Sequence, residues 1–327
     1  MAKLRDLGEF GFIAALAAQV ECEDPDVVLG PGDDCALVRM GGGVWAVTTD
    51  AMLEGRHFRR AWLTPYQIGA RAMTAGLSDI AAMGTKPRFA FSSLALPPDW
   101  EAEDGLELAR GLAEQARRYG ACLLGGDTVA AHEHAFVDVV VLGECGSRVW
   151  RRDGARVGDV VCVTGTLGDC AAAIAAREAG MAKPLTWGAY AEPQPRVTEA
   201  AALQRVGGIS AAMDISDGLV QDAGHLCERS GVGIRIEAAR VPVSEGARAT
   251  AETLGGDVLT WALTGGEDFE LLFTAAAESV AALEAAVDVP VTVVGEVLAG
   301  EGVEVVDEDS RPLRVGSGGW DHFARGD

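Results

Sequence analysis

Residues 64–87, TPYQIGARAMTAGLSDIAAMGTKP, hold a helix start, a helix body and a helix stop in one line. Thr64 is an N-cap residue and Pro65 suits the first helical turn. The spacing predicts a helix from there to about Met83, ended by Gly84 and Pro87, with a strand over 88–96. Asp79 falls inside this helical pattern, between Leu77 and Ile80. Aspartate is a poor helix former because its side chain competes for nearby backbone groups, so a purely structural role suits it badly.

Upstream, Leu7, Phe10, Ile13, Ala14 and Ala17 recur at helical spacing within residues 4–20. A Gly-Pro-Gly turn at 30–32 leads into a strand-like GDDCALVRM, and 44–48 reads as a second strand ending at Asp50. Downstream, a helix is expected over 99–119 with Gly120 as its stop. A short buried strand at 121–124 should run straight into the turn GGDT, with another strand at 135–143. The Arg-rich, turn-rich segment 144–159 predicts a domain boundary, separating residues 1–148 from 149–327. Beyond it come a strand, a glycine turn and a helix in VVCVTGTLGDCAAAIAAREAG, then a proline-bearing connector over 183–195 and a further helix. AAMDISDGL, a helix over 217–229, the strand GVGIRIEA, the turn and strand LTGGEDFELLFT, and strands at 289–297 and 303–306 complete the half. Such mixed order fits an α/β (α+β) sandwich in each half.

The composition narrows the function. The chain has 327 residues, 49% hydrophobic and 23% charged, which suffices for two globular domains. Its formal net charge of -22 disfavours nucleic acid and anionic membrane, both of which are bound largely through Lys and Arg. An anionic substrate remains open to it if metal cations bridge the two. There are only three lysines, Lys3, Lys86 and Lys183, so arginine must supply most cationic side chains. The seven cysteines form no C-x-x-C pair, and the N-terminus lacks a signal-peptide layout, so a reduced cytoplasmic protein is expected. No uninterrupted apolar run reaches membrane-spanning length.

The informative pattern is a set of acidic residues placed at strand ends and helix starts, in motifs that each contain Gly, Ser or Thr. They are Asp33 and Asp34 in GPGDD, Asp50 in TTD, Asp79 in LSD, Asp127 in GGDT, Asp214 and Asp217 in MDISDG, and Glu267 and Asp268 in GGED. Taken singly, each reads as a cap or turn residue. Taken together, over both halves, they read as oxygen ligands for hard divalent cations, which would also relieve the repulsion between gathered carboxylates. Other chemistries score poorly: there is no G-x-x-x-x-G-K-[ST], no H-E-x-x-H and no G-x-S-x-G. His132 and His134 lack further zinc ligands, and the GTLG turn at 165–168 is a weak phosphate site that reads better as structure.

GEFGFI, GPGDDCAL, TTDAMLEGRHF, LSDIAAMGTKP, GGDT, RRDGARVGD, VTGTLGD, MDISDGL, GGEDFELLFT and GWDHF, in that order, resemble the thiamine-monophosphate kinases from about residue 8 to residue 323. That family is similar in turn to the aminoimidazole-ribonucleotide synthetase-like superfamily. The resemblance implies a two-domain PurM-like architecture, with a mixed N-terminal sheet pairing in a homodimer and a C-terminal α/β sandwich. It implies ATP as co-substrate, several Mg²⁺ ions, and phosphoryl transfer to thiamine monophosphate. The family's metal ligands fall on Asp34, Thr48, Thr49, Asp50, Asp79, Asp127 and Asp214, with Asp217 for a further ion and Asp33 adjacent; Asp50, Asp79 and Asp127 carry the metal-assisted catalysis. Nucleotide contacts fall on Gly126, Asp127, Arg152 and Ser216, and acceptor contacts on His57, Glu267 and Trp320. The acceptor would be a phosphate monoester, already largely ionised because its second pKa is ~6, so no strong general base is called for. Two alternatives stay open. One is another ATP-dependent synthetase of the superfamily, although Cys22 in ECEDP does not resemble a reactive cysteine in a glycine-rich loop. The other is a binding module that keeps the fold without turnover.

Overall fold

A computed structural model describes residues 3–20 and 22–315. The first half builds a six-stranded sheet from β1 (Val27–Leu29), β2 (Ala36–Met40), β3 (Gly43–Leu53), β4 (Lys86–Leu96), β5 (Cys122–Ala130) and β6 (Phe136–Glu144), in the order β1-β2-β3-β6-β4-β5. Every pair is antiparallel except β4 with β5. Its helices are α1 (Leu4–Ala17), α2 (Pro65–Ala82) and α3 (Ala102–Arg118). The second half builds another six-stranded sheet from β7 (Val160–Thr164), β8 (Ile209–Ile215), β9 (Gly233–Glu237), β10 (Glu270–Ala275), β11 (Val291–Leu298) and β12 (Gly302–Val306). Its order is β12-β9-β11-β7-β10-β8. Here α4 (Asp169–Glu178), α5 (Trp187–Ala191), α6 (Val197–Val206), α7 (Leu219–Ser230), α8 (Glu245–Leu254), α9 (Val258–Thr264) and α10 (Val280–Glu284) cover the strands.

Helix α2 is the centre of the molecule. Its start is a capping box: the Thr64 hydroxyl accepts from the Gln67 amide, and the Gln67 side chain accepts from the Thr64 amide. It buries 14 of its 18 residues, which means it has no solvent face and lies between the two sheets. It packs on β3 and β6 of the first sheet and on β8 and β10 of the second. Small residues make this possible. A Cβ on Gly69 would stand 2.0 Å from the Leu108 carbonyl oxygen of α3, and one on Gly111 would stand 2.0 Å from the Tyr66 carbonyl oxygen of α2. The two helices therefore cross backbone to backbone. One continuous core, including Leu77, Ile80, Val139, Cys162, Ala212 and Phe273, runs through both halves.

The first sheet has an inner and an outer face, set by the period-2 alternation of strands. On β3, Ala46, Thr48 and Met52 are buried beneath α2, while Thr49, Ala51 and Leu53 are exposed. On β6, Val137, Val139 and Val141 point inward. The outer face is apolar as well: Trp45 stacks on Phe89, and Phe91 is 40% exposed.

Two sequence expectations are corrected. The segment at 121–124 is not a short buried strand leading to a turn. β5 runs nine residues, straight through GGDT, and is largely exposed because it is the sheet's edge. The first helix has the expected apolar spacing but buries no residue, and Gly8, at φ 68°, breaks its helical geometry. Trp320 and the GWDHF stretch lie outside the described residues. No helix among the described residues is long and apolar enough to cross a membrane.

Candidate active site

Three carboxylates from three separate elements converge where α2 meets both sheets. Asp34 comes from the turn before β2, Asp79 from the last turn of α2, and Asp214 from β8; each offers an oxygen within 4.8 Å of the others. Asp34 and Asp214 are buried. Ser78, the residue before Asp79, donates from its hydroxyl to Asp214 Oδ2 at 2.6 Å, and the Thr48 hydroxyl donates to Asp79 Oδ2. Asp50 lies two residues beyond Thr48, on the same face of β3.

Gathering these charges away from water is costly, and the protonation equilibria show it. Burial, then Asp34, pushes the Asp214 carboxyl up to about 7. Burial, then Glu267, Asp138 and Asp217, does the same to Asp50. Asp79 is raised well above the carboxylate range by burial and then by Asp214, Asp50 and Asp34. Asp33 rises to about 6 through burial and its neighbour Asp34. The charge that balances them is Arg152, whose guanidinium pairs with Asp34. Asp34 Oδ2 is nevertheless buried with no hydrogen-bond partner. An orphaned buried carboxylate oxygen beside two other acids is a donor set of the kind a hard divalent cation takes.

The other sequence-derived site residues sort by position. Asp33 is engaged by backbone: its Oδ2 accepts from the Arg152 amide at 3.1 Å and its Oδ1 from the Asp34 amide at 3.1 Å. Thr49 faces the outer side of the sheet and donates to Asp138 at 2.8 Å. By register, Asp138 lies opposite Ser93 on β4, and Ser93 opposite Asp127 on β5, so Thr49 and Asp127 share the outer face. The side chains of Thr49 and Asp127 are therefore not brought to the buried trio. Gly126 lies against the neighbouring strand so closely that a Cβ would stand 1.6 Å from the Ser92 carbonyl oxygen.

Asp50, His57, Ser216, Asp217 and Glu267 line one cavity of roughly 410 Å³ together with apolar Met52, Ala75, Ala171, Ile174 and Phe269. His57 Nδ1 accepts from the Leu53 amide at 2.9 Å, which places the proton of a neutral ring on Nε2. Glu267 adopts φ 63°, and its amide donates to the Ser216 carbonyl at 2.7 Å, fixing the turn GGED against the turn MDISDG. An acid-bound rim with an apolar, partly aromatic interior suits a small heteroaromatic ligand, and an anionic group on it would need Arg56 or a bridging cation beside those acids.

Sequence reasoning missed four contributors. Arg71 is fully buried in α2 and ion-pairs with Glu267 at 2.6 Å. Asp222 Oδ2 accepts from three successive amides, those of Ser216, Asp217 and Gly218, at 3.2, 3.2 and 3.0 Å. Ser78 and Asp138 touch Asp214 and Thr49. A charge within the apolar run of α2 was the available signal for Arg71. Asp268, by contrast, is a cap: it accepts from the Gly168 amide at 2.7 Å and the Cys170 amide at 3.3 Å, at the start of α4. The Gly168 amide of the GTLG turn is thus already satisfied from within.

With that geometry in view, comparison with known proteins is informative. Residues 32–145 match the N-terminal domain of AIR synthase related proteins and residues 156–308 match the C-terminal domain. The chain is 35% identical to thiamine-monophosphate kinase of Mycobacterium tuberculosis (strain CDC 1551 / Oshkosh), across 99% of this chain and 94% of that protein. It is also 35% identical to thiamine-monophosphate kinase of Escherichia coli (strain K12), across 97% of this chain and 98% of that protein. Its structure is similar to AaThiL complexed with AMPPCP and TMP, with a TM-score of 0.87, 34% identity and 99% of both chains covered.

Proposed function

The chain belongs to the AIR synthase related family, and within it to the thiamine-monophosphate kinases, and from that premise we propose how its residues divide the work. The reaction is transfer of the γ-phosphoryl group of ATP to thiamine monophosphate, giving ADP and thiamine diphosphate. An oxygen of the acceptor phosphate forms the new P–O bond as the bond to the ADP β-phosphate oxygen breaks. The acceptor oxygen is already largely ionised at neutral pH, its second pKa being ~6, so the barrier lies in bringing two polyanions into line.

Asp34, Asp79 and Asp214 would hold Mg²⁺, with Thr48 and Asp50 beside them and Asp217 for a further ion; what supports this is the orphaned Asp34 oxygen within the converged trio. Mg²⁺, when bound, supplies charge neutralisation between the two phosphates. The protein's own residues do the rest. Arg152 pairs with Asp34 and stands at the donor side, where its planar guanidinium suits phosphate oxygens. Asp222 holds the amides of Ser216–Gly218 in one conformation, which fixes the Ser216 contact to the nucleotide. His57 and Glu267 would meet the acceptor in the cavity, and the apolar lining excludes water from its ring system. Asp33 and Gly126 complete the proposed donor set and Trp320 the acceptor set, whereas Thr49 and Asp127, on the outer face of the first sheet, stand apart from the ion held by the trio. We propose the division at 148/149, which lies between the last strand of the first sheet and the first strand of the second.

The outer face of the first sheet is proposed as the contact of a homodimer, in keeping with exposed Leu53, Phe91, Leu124 and Val129. A cytoplasmic site of action accords with seven free cysteines. The observation that carries the reading is the convergence of acids from both halves beside a cavity sized for one small substrate. Incubation with ATP, Mg²⁺ and thiamine monophosphate, followed by chromatography, tests it. Thiamine diphosphate and ADP in equal amounts are expected; ADP released only with a different acceptor would refute it.

A further inference from the structure

Arg71 lies in the middle of α2 with none of its side chain exposed. A buried guanidinium is expensive unless its donors are engaged, and here both terminal nitrogens are, while Nε has no hydrogen-bond partner. Its Nη2 meets Glu267 Oε2 at 2.6 Å and Cys170 Sγ at 3.8 Å, its Nη1 donates to the Tyr190 carbonyl, and its plane lies 4.3 Å from the centre of the Tyr190 ring. Burial works against its charge, but Glu267, with Cys170 and Tyr190, more than offsets that, and its pKa is raised. The partner is placed differently. Glu267 keeps 24% of its side chain exposed and lines the acceptor cavity. Its backbone is held at φ 63°, a costly conformation for a residue with a side chain, by the bond from its amide to Ser216. Gly266 before it admits nothing larger, since a Cβ would stand 2.5 Å from the Ser216 carbonyl oxygen.

An ion pair needed only for packing would be enclosed on both sides, and an apolar pair would serve as well. This one is enclosed on the arginine side and open on the cavity side. Two consequences follow for the acceptor. The pair carries no net charge, so Glu267 offers little to a cationic ring. Arg71 takes Oε2, so Oε1 is the hydrogen-bond acceptor that the side chain can present to the cavity. We propose that Arg71 is a positioning residue for acceptor recognition: it pins Glu267 so that one carboxylate oxygen reads the exocyclic amino group of the acceptor's pyrimidine. The inference rests on the acceptor reading of this cavity given above.

The test compares thiamine monophosphate with oxythiamine monophosphate, in which oxygen replaces that amino group, in steady-state assays and in equilibrium titrations without ATP. The wild type should prefer the amino compound in kcat/KM by about tenfold or more, since a lost bond to a charged group is worth about 1.5–3 kcal/mol. Arg71→Met should raise KM for thiamine monophosphate about tenfold, weaken its titrated binding in proportion, leave KM for ATP within about twofold and erase the preference. Arg71→Lys should keep part of it. The double variant R71M/E267Q should be no worse than E267Q alone, since the two residues act as one unit. Equal use of both compounds by the wild type, an unchanged preference in R71M, or losses that multiply in the double variant overturn the proposal. If R71M does not fold, E267A decides, because retention of the preference without any side-chain oxygen at that position overturns it equally. A wild type that turns over neither compound brings down the acceptor reading itself, and this inference with it; turnover of both without discrimination brings down the inference alone.

Discussion

Aspartates written in one style of sequence do opposite things at two places in the molecule. Asp34, Asp79 and Asp214 meet one another across three elements, and Asp34 retains an oxygen with no donor. Asp268, in the turn GGED, accepts from two backbone amides, one on each oxygen, whereas Asp222, in the first turn of α7, accepts three amides on Oδ2 alone and leaves Oδ1 without a partner. In the first group the charge is left unspent, and a cation completes it. In Asp268 both oxygens are taken up at a helix end; Asp222 stands between the two cases, one oxygen holding a turn and the other open beside Asp217 and His225. What separates a ligand from a cap is therefore the supply of N–H donors at the end of the fold, a property of tertiary placement and not of the motif.

The contrast can be broken most directly at Asp79. Asp79→Asn should lower kcat on the order of a thousandfold while circular dichroism and the melting temperature in chelator stay the same or improve, because a repelling charge has gone. Wild-type turnover in that variant would place Asp79 with the caps. Ser78→Ala tests the support of the trio: losing the donor to Asp214 should raise the Mg²⁺ concentration for half-maximal rate by roughly 10–100-fold. An unchanged Mg²⁺ requirement would detach Ser78 from the ion site. Asp268→Ala should show the reverse pattern. Two α4 amides lose their acceptor, so chemical denaturation should show a loss of about 1–3 kcal/mol, with the Mg²⁺ requirement unaltered. A shifted Mg²⁺ requirement there would erase the distinction between the groups.

The smallest effect is in pH. Asp214 and Asp50 are raised to about 7 and Asp33 to about 6 from an ordinary 3.8. Between those values the unfolded chain has lost these protons and the native protein keeps them, so stability falls as pH rises. In chelator, the melting temperature should fall between about pH 5 and pH 7.5, and Mg²⁺ should flatten the curve. A melting temperature that rises over that window in chelator would mean that the acids are already compensated from within.

Much of the fold was legible from residues 64–87, because a capping box, a proline and a glycine stop are local features. The extent of β5 was not: GGDT has turn composition, and only pairing with β4 keeps it extended. The fate of α1 was not either, since apolar spacing announces a face to bury but not what buries it. In the site, the acids stood out by type and context, and the family resemblance assigned their roles. Thr49 and Asp127 show the limit of that reading, because which face of a sheet a residue takes depends on register, and the register was not written in either motif. Arg71 was passed over because a single arginine in a helix ordinarily reaches solvent.

Where α2 crosses α3 there is no slot for even a methyl group, on Gly69 from one side or on Gly111 from the other. That contact works as a fulcrum. Ser78 lies nine residues further along the same rod, about 13 Å away at 1.5 Å per residue, and Asp79 follows it. Any one-base change that exchanges either glycine for a bulkier residue would lever the far end of α2 off its bearing and draw Asp79 away from Asp34 and Asp214, with every ligand still encoded. Two codons remote from the chemistry are thus closed to drift for reasons of clearance alone.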